Sequence, residues 1–191
     1  MRKISLRNLG YSGAENLAVN EAETSKPGFF SSPAFSGDGF IEHQQKLRAL
    51  PFAARDSACC GCGWIAVWNL FKSEGTVLSI PKLISEFEHG AVLNGVLGTS
   101  PFFLRKYLKR AGKKVFSALS VKKLVRKAPK RGIAFYWRKD FSGHFAAFSR
   151  CENGLYRFYN HGKSPDIMPM EAFGKNKKRI FTLFFCVEDG G

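Results

Sequence analysis

The sequence predicts one α+β domain in which helices come first and an antiparallel sheet follows. Helical apolar patterns recur between residues 63 and 129, and segments rich in aromatic and β-branched residues replace them after Pro129. Runs of one element type followed by the other favour an α+β arrangement over alternating βαβ units. With 191 residues, 45% of them hydrophobic and 14% aromatic, the chain is long enough for one well-packed core.

Four helices are predicted in the first part of this domain. Apolar residues surround most of the segment 63–71, which indicates a buried central helix. Three later helices are expected from capping residues, two of which precede a proline at the first helical position. Their predicted starts are Ser79 before Pro81, Thr99 or Ser100 before Pro101, and Ser120.

Four strands are predicted in the second part, because aromatic and β-branched residues become frequent there. The predicted strands are Ile133–Trp137, His144–Arg150, Leu155–Tyr159 and Ile180–Val187. No internal repeat is present, so the sheet is expected to belong to a single domain.

Residues 1–45 differ in composition from the rest of the chain. They are rich in Gly and Ser and show no sustained period, which predicts a flexible or loosely docked N-terminal arm ahead of a domain at 46–191. Four phenylalanines in this arm are candidates to anchor it on the domain: Phe29, Phe30, Phe35 and Phe40.

Positive charge is concentrated in one segment. The chain has a formal net charge of +15, and residues 101–140 hold 14 Lys and Arg against the single acid Asp140. This predicts either a surface for an anionic partner, such as nucleic acid or an acidic protein, or an ordinary solvated helix face. No long apolar run or signal-peptide core is present, so we expect a soluble, cytoplasmic protein, and nothing in the sequence indicates its oligomeric state.

The five cysteines are expected to be reduced thiols. Their number is odd, and Cys59, Cys60 and Cys62 lie too close together for a set of disulfides. A zinc site would need a second ligand pair, but Cys151 and Cys186 stand apart and the histidines are scattered. We therefore predict no cofactor, and a zinc ion on Cys59, Cys62 and a histidine is only a weak alternative.

Cys62 is the candidate nucleophile. It lies between Gly61 and Gly63 at the start of the central helix, where unpaired N–H groups favour a thiolate and a low pKa. Alternatively, Cys62 is a small core residue, or Cys59 or Cys60 is the nucleophile.

His144 and Asn160 are expected to lie close together. His144 opens one predicted strand, Asn160 closes the next, and a turn centred on Glu152 would place them opposite each other. Other loop types would shift this register by one or two residues. The asparagine could then orient the imidazole toward a thiol, although each residue alone is as well explained by a structural role.

These residues carry a resemblance to papain-like cysteine peptidases. The chain has Cys62-Gly63 before a core helix, Gly98-Thr99-Ser100 before another helix, His144-Phe145 at a strand start, and Asn160 sixteen residues later. Over about residues 50–187 the order and spacing are most similar to bacterial peptidases that cleave double-glycine leader peptides. The resemblance implies a papain-like fold with a helical half, a buried central helix and then an antiparallel sheet.

The resemblance also implies a mechanism on a peptide substrate. Cys62 would attack the peptide carbonyl, His144 would transfer the proton and Asn160 would orient the imidazole. The family has a glutamine six residues before the cysteine, and this glutamine stabilises the oxyanion. This chain has Asp56 at that position. The expected oxyanion region therefore consists of Asp56, Gly61 and Gly63. Gln44 and Gln45 are the nearest glutamines, and they could replace it only through an unusual loop.

Two classes of function follow. The first is a papain-like cysteine peptidase or a related acyl-transfer enzyme. The alternative is a catalytically weak papain-like scaffold that binds an anionic partner through residues 101–140. Residues 1–45 could in addition act as a pro-segment that lies in the site.

Overall fold

A computed structural model describes residues 12–140, 142–162, 166–175 and 179–188 of the chain. The helices are α1 (Gly13–Thr24), α2 (Ser57–Cys60), α3 (Cys62–Lys72), α4 (Ile80–Glu88), α5 (Pro101–Arg110), α6 (Val121–Lys127) and α7 (Met170–Gly174). The strands are β1 (Pro51–Phe52), β2 (Arg55–Asp56), β3 (Lys114–Ala118), β4 (Arg131–Arg138), β5 (Gly143–Arg150), β6 (Tyr156–Tyr159), β7 (Asp166–Met168) and β8 (Arg179–Glu188). None of the helices in these described ranges is long and apolar enough to cross a membrane.

The main sheet has six strands in the order β3-β8-β4-β5-β6-β7, and every neighbouring pair is antiparallel. The four strands predicted from the sequence are β4, β5, β6 and β8. The predicted α+β fold, with a helical half followed by an antiparallel sheet, is confirmed. No sequence pattern predicted α1, α2, α7, β1, β2, β3 or β7.

Helix α3 is the buried centre of the fold, as predicted. Every residue from Cys62 to Phe71 is buried, because apolar side chains surround the whole helix. Gly63, the second residue of the helix, allows a close approach of Thr99, since an added Cβ would lie 2.4 Å from the Thr99 hydroxyl oxygen. The central helix is thereby fixed against the segment that leads into α5.

The sheet separates two apolar clusters. One face, with Ile133, Phe145 and Phe185, packs on α3. The opposite face, with Ala146 and Phe184, is covered by α6 and α7 through Leu124, Met170 and Phe173. Alternate residues of each strand serve opposite faces, as the period of two in a strand requires.

The pairing of β5 with β6 differs from the sequence prediction. Ala147 pairs with Tyr159, which is two residues away from the register that would place His144 opposite Asn160. The reason is the turn, which is closed by the Cys151 N–H bonded to the Leu155 carbonyl at 2.8 Å. This turn is centred one residue later than Glu152, and Asn160 consequently lies beyond the paired part of β6.

Residues 12–45 pack closely on the rest of the domain, in contrast to the expected flexible or loosely docked arm. Helix α1 contacts α4, and the Asn16 amide donates to the Glu88 carboxylate at 2.5 Å. Phe35 and Ile41 belong to the core around α3. The described residues therefore show no structural boundary at position 46. The part of the predicted arm before residue 12 lies outside the described residues.

Asn69 of α3 is the main polar link between this N-terminal segment and the core. Its side chain is fully buried, accepts from the Ile41 N–H at 2.9 Å and donates to the Ile41 carbonyl at 2.8 Å. The side chain thus satisfies both backbone groups of a buried residue that forms only one isolated β-bridge, with Phe35.

We predict that Asn69→Ala lowers the free energy of unfolding by about 2–6 kcal/mol, because two buried backbone groups lose their partner at about 1–3 kcal/mol each. Urea unfolding measures the loss. The control is Asn153→Ala, whose side chain accepts from the Leu155 N–H in an exposed turn at 3.1 Å. We expect a loss below about 1 kcal/mol there, and equal losses in the two variants would contradict the proposed link.

Candidate active site

Cys62, His144 and Asn160 line one cavity of about 340 Å³, hereafter the polar cavity. Helix α3 brings Cys62 to the cavity at its first turn, and β5 brings His144 at its second residue. The three candidates that are far apart in sequence therefore meet, although the strand register differs from the expected one.

Cys62 is a buried thiol, with 7% of its surface exposed. Burial raises its pKa to about 11, and the backbone N–H groups of Phe145, Cys62 and Gly63 together with the charge of Arg138 oppose this only in part. The expectation of a depressed pKa at the helix start was wrong for the free protein. Desolvation of the sulfur outweighs the effect of the helix N-terminus.

His144 is held by the backbone of Asn160. Its Nε2 lies 2.7 Å from the Asn160 carbonyl oxygen. Because a carbonyl can only accept, Nε2 carries the hydrogen, and Nδ1 of the neutral ring is then an acceptor. The contact fixes the tautomer that a proton acceptor for a thiol needs.

The imidazole of His144 is neutral at pH 7. Burial lowers its pKa to about 4, and the hydrogen bond to Asn160 raises it only in part. The pair in the free protein is thus an uncharged thiol and an uncharged imidazole.

The side chain of Asn160 binds a different partner from the one that we expected. Its Oδ1 accepts from the Gln44 N–H at 3.2 Å, and its Nδ2 donates to Gln44 Oε1 at 2.9 Å. Its backbone N–H donates to Glu42 Oε2 at 2.9 Å. The carbonyl of Asn160 positions His144, whereas its amide is bound to the N-terminal segment.

Glu42 is buried through an ion pair. Its side chain is 2% exposed, and Oε1 accepts from Arg157 at 3.0 Å. Arg157 also binds Asp38, whose pKa it lowers to about 2. The segment from Asp38 to Gln44 is therefore tied to β6 and to the turn that follows it. No sequence pattern pointed to these long-range contacts.

The residues of the expected oxyanion region have structural partners. Asp56 caps α2, since its Oδ1 accepts from the Cys59 N–H at 2.8 Å. The Gly61 N–H donates to the Ser57 carbonyl at 3.0 Å. The N–H of Gly63 lies in the first turn of α3 and acts on the sulfur of Cys62, whose pKa it helps to lower.

Both glutamines of the N-terminal segment line the polar cavity, because a 3-10 turn at Gln44–Lys46 packs against α2. Gln44 is buried and its Nε2 donates to the Ala58 carbonyl at 3.1 Å, which uses one of its two amide hydrogens. Gln45 is exposed. The 3-10 turn thus brings both glutamines to the cavity that contains Cys62.

A second cavity of about 410 Å³ adjoins the first at Cys62, and we call it the apolar cavity. Its apolar lining includes Val92, Leu97, Phe135, Trp137 and Phe145. Leu97 exposes 57% of its surface, although it is a large apolar residue. Cys62 thus lies between a polar and an apolar cavity.

All five cysteines are free thiols, and Cys59 and Cys60 lie beside each other with their sulfur atoms 3.1 Å apart. Burial is the main cause that raises the pKa of Cys60 to about 12. Within the described parts of the chain, no group of three His, Cys, Asp or Glu side chains is arranged to hold a metal ion.

No protein family model matches the sequence, and no curated protein matches it either. Among solved structures, 14 chains match. One is the peptidase domain of Streptococcus ComA, a bi-functional ABC transporter involved in a quorum sensing pathway. The identity is 15% and the TM-score 0.47, over 66% of this chain and 91% of that chain.

Proposed function

We propose that this chain is a thiol-dependent peptidase, or a related acyl-transfer enzyme, that acts on a peptide through Cys62 and His144. One observation carries the proposal: Cys62 shares a cavity with a histidine whose Nε2–H is fixed by the Asn160 carbonyl. That arrangement presents an unprotonated Nδ1 as a general base.

The proposed reaction starts from the neutral pair. As the sulfur of Cys62 bonds to the substrate carbonyl carbon, its proton passes to Nδ1 of His144, and the carbonyl oxygen becomes negative. The imidazolium then donates that proton to the leaving nitrogen, the C–N bond breaks, and an acyl-Cys62 thioester remains. Water or a second amine, deprotonated by His144, releases the acyl group.

Hydrolysis and transfer differ only in the nucleophile of the last step. Cleavage of a leader peptide, which the sequence resemblance implies, is one substrate class that fits this chemistry, and it stays a proposal. The binding of an anionic partner to residues 101–140 also stays a prediction. The basic residues of this segment lie mainly in β3, β4, α5 and α6.

Acylation tests the proposal directly. We expect a p-nitrophenyl ester to acylate Cys62, with an adduct that mass spectrometry assigns to this residue. His144→Gln should slow the step by about 100- to 10,000-fold, because the general base is lost. Cys59→Ala is the control and should retain the adduct. A protein that acylates at Cys59, or not at all, would contradict the proposed function.

The pH dependence of alkylation tests the neutral pair. Since burial raises the pKa of Cys62 to about 11, the thiolate fraction and the iodoacetamide rate should still rise with pH between about 7 and 10. At about pH 7 the exposed Cys59 should react first. His144→Gln should leave the pH range over which the Cys62 rate rises nearly unchanged, because His144 is uncharged in this range, even where loss of the base lowers the rate itself. A Cys62 rate that levels off below about pH 7 and changes in His144→Gln would instead indicate a charged pair.

Gln44 is the best candidate to stabilise the oxyanion. Asn160 and Ala58 hold its amide in place, and one hydrogen of Nε2 is left over. A fixed donor stabilises developing charge without a cost of reorganisation, which the exposed Gln45 cannot match. Together with N–H groups at the start of α3, Gln44 would replace the glutamine that the resemblance places at position 56.

We predict that Gln44→Ala lowers the acylation rate of Cys62 by about 100- to 1000-fold, as the loss of one oxyanion donor does. Gln45→Ala, the matched control, should change it far less. Asn160→Gly keeps the backbone carbonyl that binds His144 and permits the positive φ of 55°. It removes only the side chain that holds Gln44, so any loss of acylation rate should come from Gln44. The variant with both Gln44→Ala and Asn160→Gly should therefore be acylated little more slowly than Gln44→Ala alone. Additive losses, or equal losses in Gln44→Ala and Gln45→Ala, would overturn the assignment.

A further inference from the structure

The two cavities allow the direction of a bound peptide to be inferred. His144 lines the polar cavity and is absent from the lining of the apolar one, whereas Cys62 lines both. In acyl transfer by a thiol or hydroxyl, the histidine protonates the leaving amine, so the leaving group lies on the histidine side of the nucleophile. The amine portion of the substrate therefore occupies the polar cavity, and the acyl portion lies along the apolar one.

Arg138 contributes a positively charged guanidinium to the polar cavity. It lies at the end of β4, is half-buried, and lines the cavity together with Cys62 and His144. The central carbon of its guanidinium lies over the ring of the buried Tyr136, 5.9 Å from the ring centre. Tyr136 thus limits the positions that the guanidinium can take.

Glu42 and His161, which also line this cavity, already have partners, and Asp140 lines the apolar cavity. Glu42 is paired with Arg157, and His161 lies between Asp166 and Arg179. The Asp140 carboxylate accepts from the Ser142 N–H at 3.0 Å and from its hydroxyl at 2.6 Å. Within the described ranges of the chain, no carboxylate lies within 4.0 Å of Arg138. A planar, half-buried guanidinium without such a partner is suited to bind a carboxylate of the substrate.

We propose that Arg138 selects substrates that carry a carboxylate on the leaving side of the scissile bond. The carboxylate is either an Asp or Glu side chain close after that bond or the free carboxyl terminus of the peptide. The cavity of about 340 Å³ has room for only a short piece of chain, which places this group near the reacting carbonyl. This inference rests on the proposed function and adds the substrate class to it.

Paired alkylating agents test the charge preference without any peptide. Iodoacetate and iodoacetamide both alkylate the sulfur of Cys62 and release iodide, but only iodoacetate carries a carboxylate. At about pH 9 we expect Arg138→Gln to lower the ratio of their rates at Cys62 by about 10- to 100-fold, the worth of a hydrogen bond to a charged group. Lys139→Gln, an equal charge change at the exposed neighbour, should leave the ratio unchanged. An unchanged ratio in Arg138→Gln would overturn the proposal.

Aminolysis of the acyl enzyme tests the leaving side itself, because an attacking amine occupies the place that a leaving amine vacates. Cys62 is first acylated by a p-nitrophenyl ester, and then glutamic acid α-amide, alanine or alaninamide is added. We expect one of the first two to release the acyl group about 10- to 100-fold faster than alaninamide, and Arg138→Gln to abolish this preference.

Preference for the glutamic acid amide identifies a side-chain carboxylate, and preference for alanine identifies a carboxyl terminus. If the protein is acylated but all three amines react alike, the inference on Arg138 is wrong while the proposed function stands. If Cys62 cannot be acylated, the proposed function fails, and the iodoacetate ratio still decides whether Arg138 attracts a carboxylate to this thiol.

Discussion

Asn160 follows β6 with a φ of 55°, and this left-handed conformation lets its backbone and its side chain serve different partners. The backbone carbonyl accepts from His144, and the backbone N–H donates to Glu42. The side-chain amide accepts from the Gln44 N–H and donates to the Gln44 side-chain oxygen. Asparagine is one of the few residues that tolerate such a backbone conformation. Its side-chain amide can also donate one hydrogen bond and accept another at the same time, as it does with Gln44. The geometry of both the histidine and the N-terminal segment depends on this one residue.

The contacts of Asn160 in turn require a buried carboxylate. Burial of an ion is costly unless the charge is paired and hydrogen-bonded, and Glu42 meets both conditions through Arg157 and the Asn160 N–H. The segment that carries Glu42 is held on its other side by Asn69 of α3. Residues 38–44 therefore connect the helix that bears Cys62 to the strand end that positions His144.

Burial also sets the charge state of the site. Desolvation disfavours the thiolate of Cys62 and the imidazolium of His144 together, so the free protein keeps the pair neutral. In the proposed reaction the two charges appear only as the substrate carbonyl is attacked, when the oxyanion and the imidazolium form in the same cavity. A buried neutral thiol is also a weaker nucleophile toward oxidants, which act on thiolates.

The sequence predicted those features that depend on local pattern. The apolar residues around α3 and the aromatic and β-branched residues of β4, β5, β6 and β8 identified the helix and the strands. A proline shortly after a serine at the N-cap position identified α4 and α5. The roles of Glu42, Gln44 and Asn69 could not be predicted in this way, because each depends on a partner far away in the chain. The β5–β6 register was off by two residues because several turn types fit the same loop sequence.

The different chemistry of the two cavities follows from the alternation of side chains in β4 and β5. Tyr136 pairs with His144, and Phe135 pairs with Phe145, so residues of even number share one face and residues of odd number the other. The odd face packs toward α3 and continues into the apolar cavity. The even face carries His144 and, at the end of β4, Arg138, and both reach the polar cavity. Because Cys62 lies at the end of the helix that packs on the odd face, a peptide bound over its sulfur in the proposed reaction would meet apolar side chains on one side and His144 and Arg138 on the other.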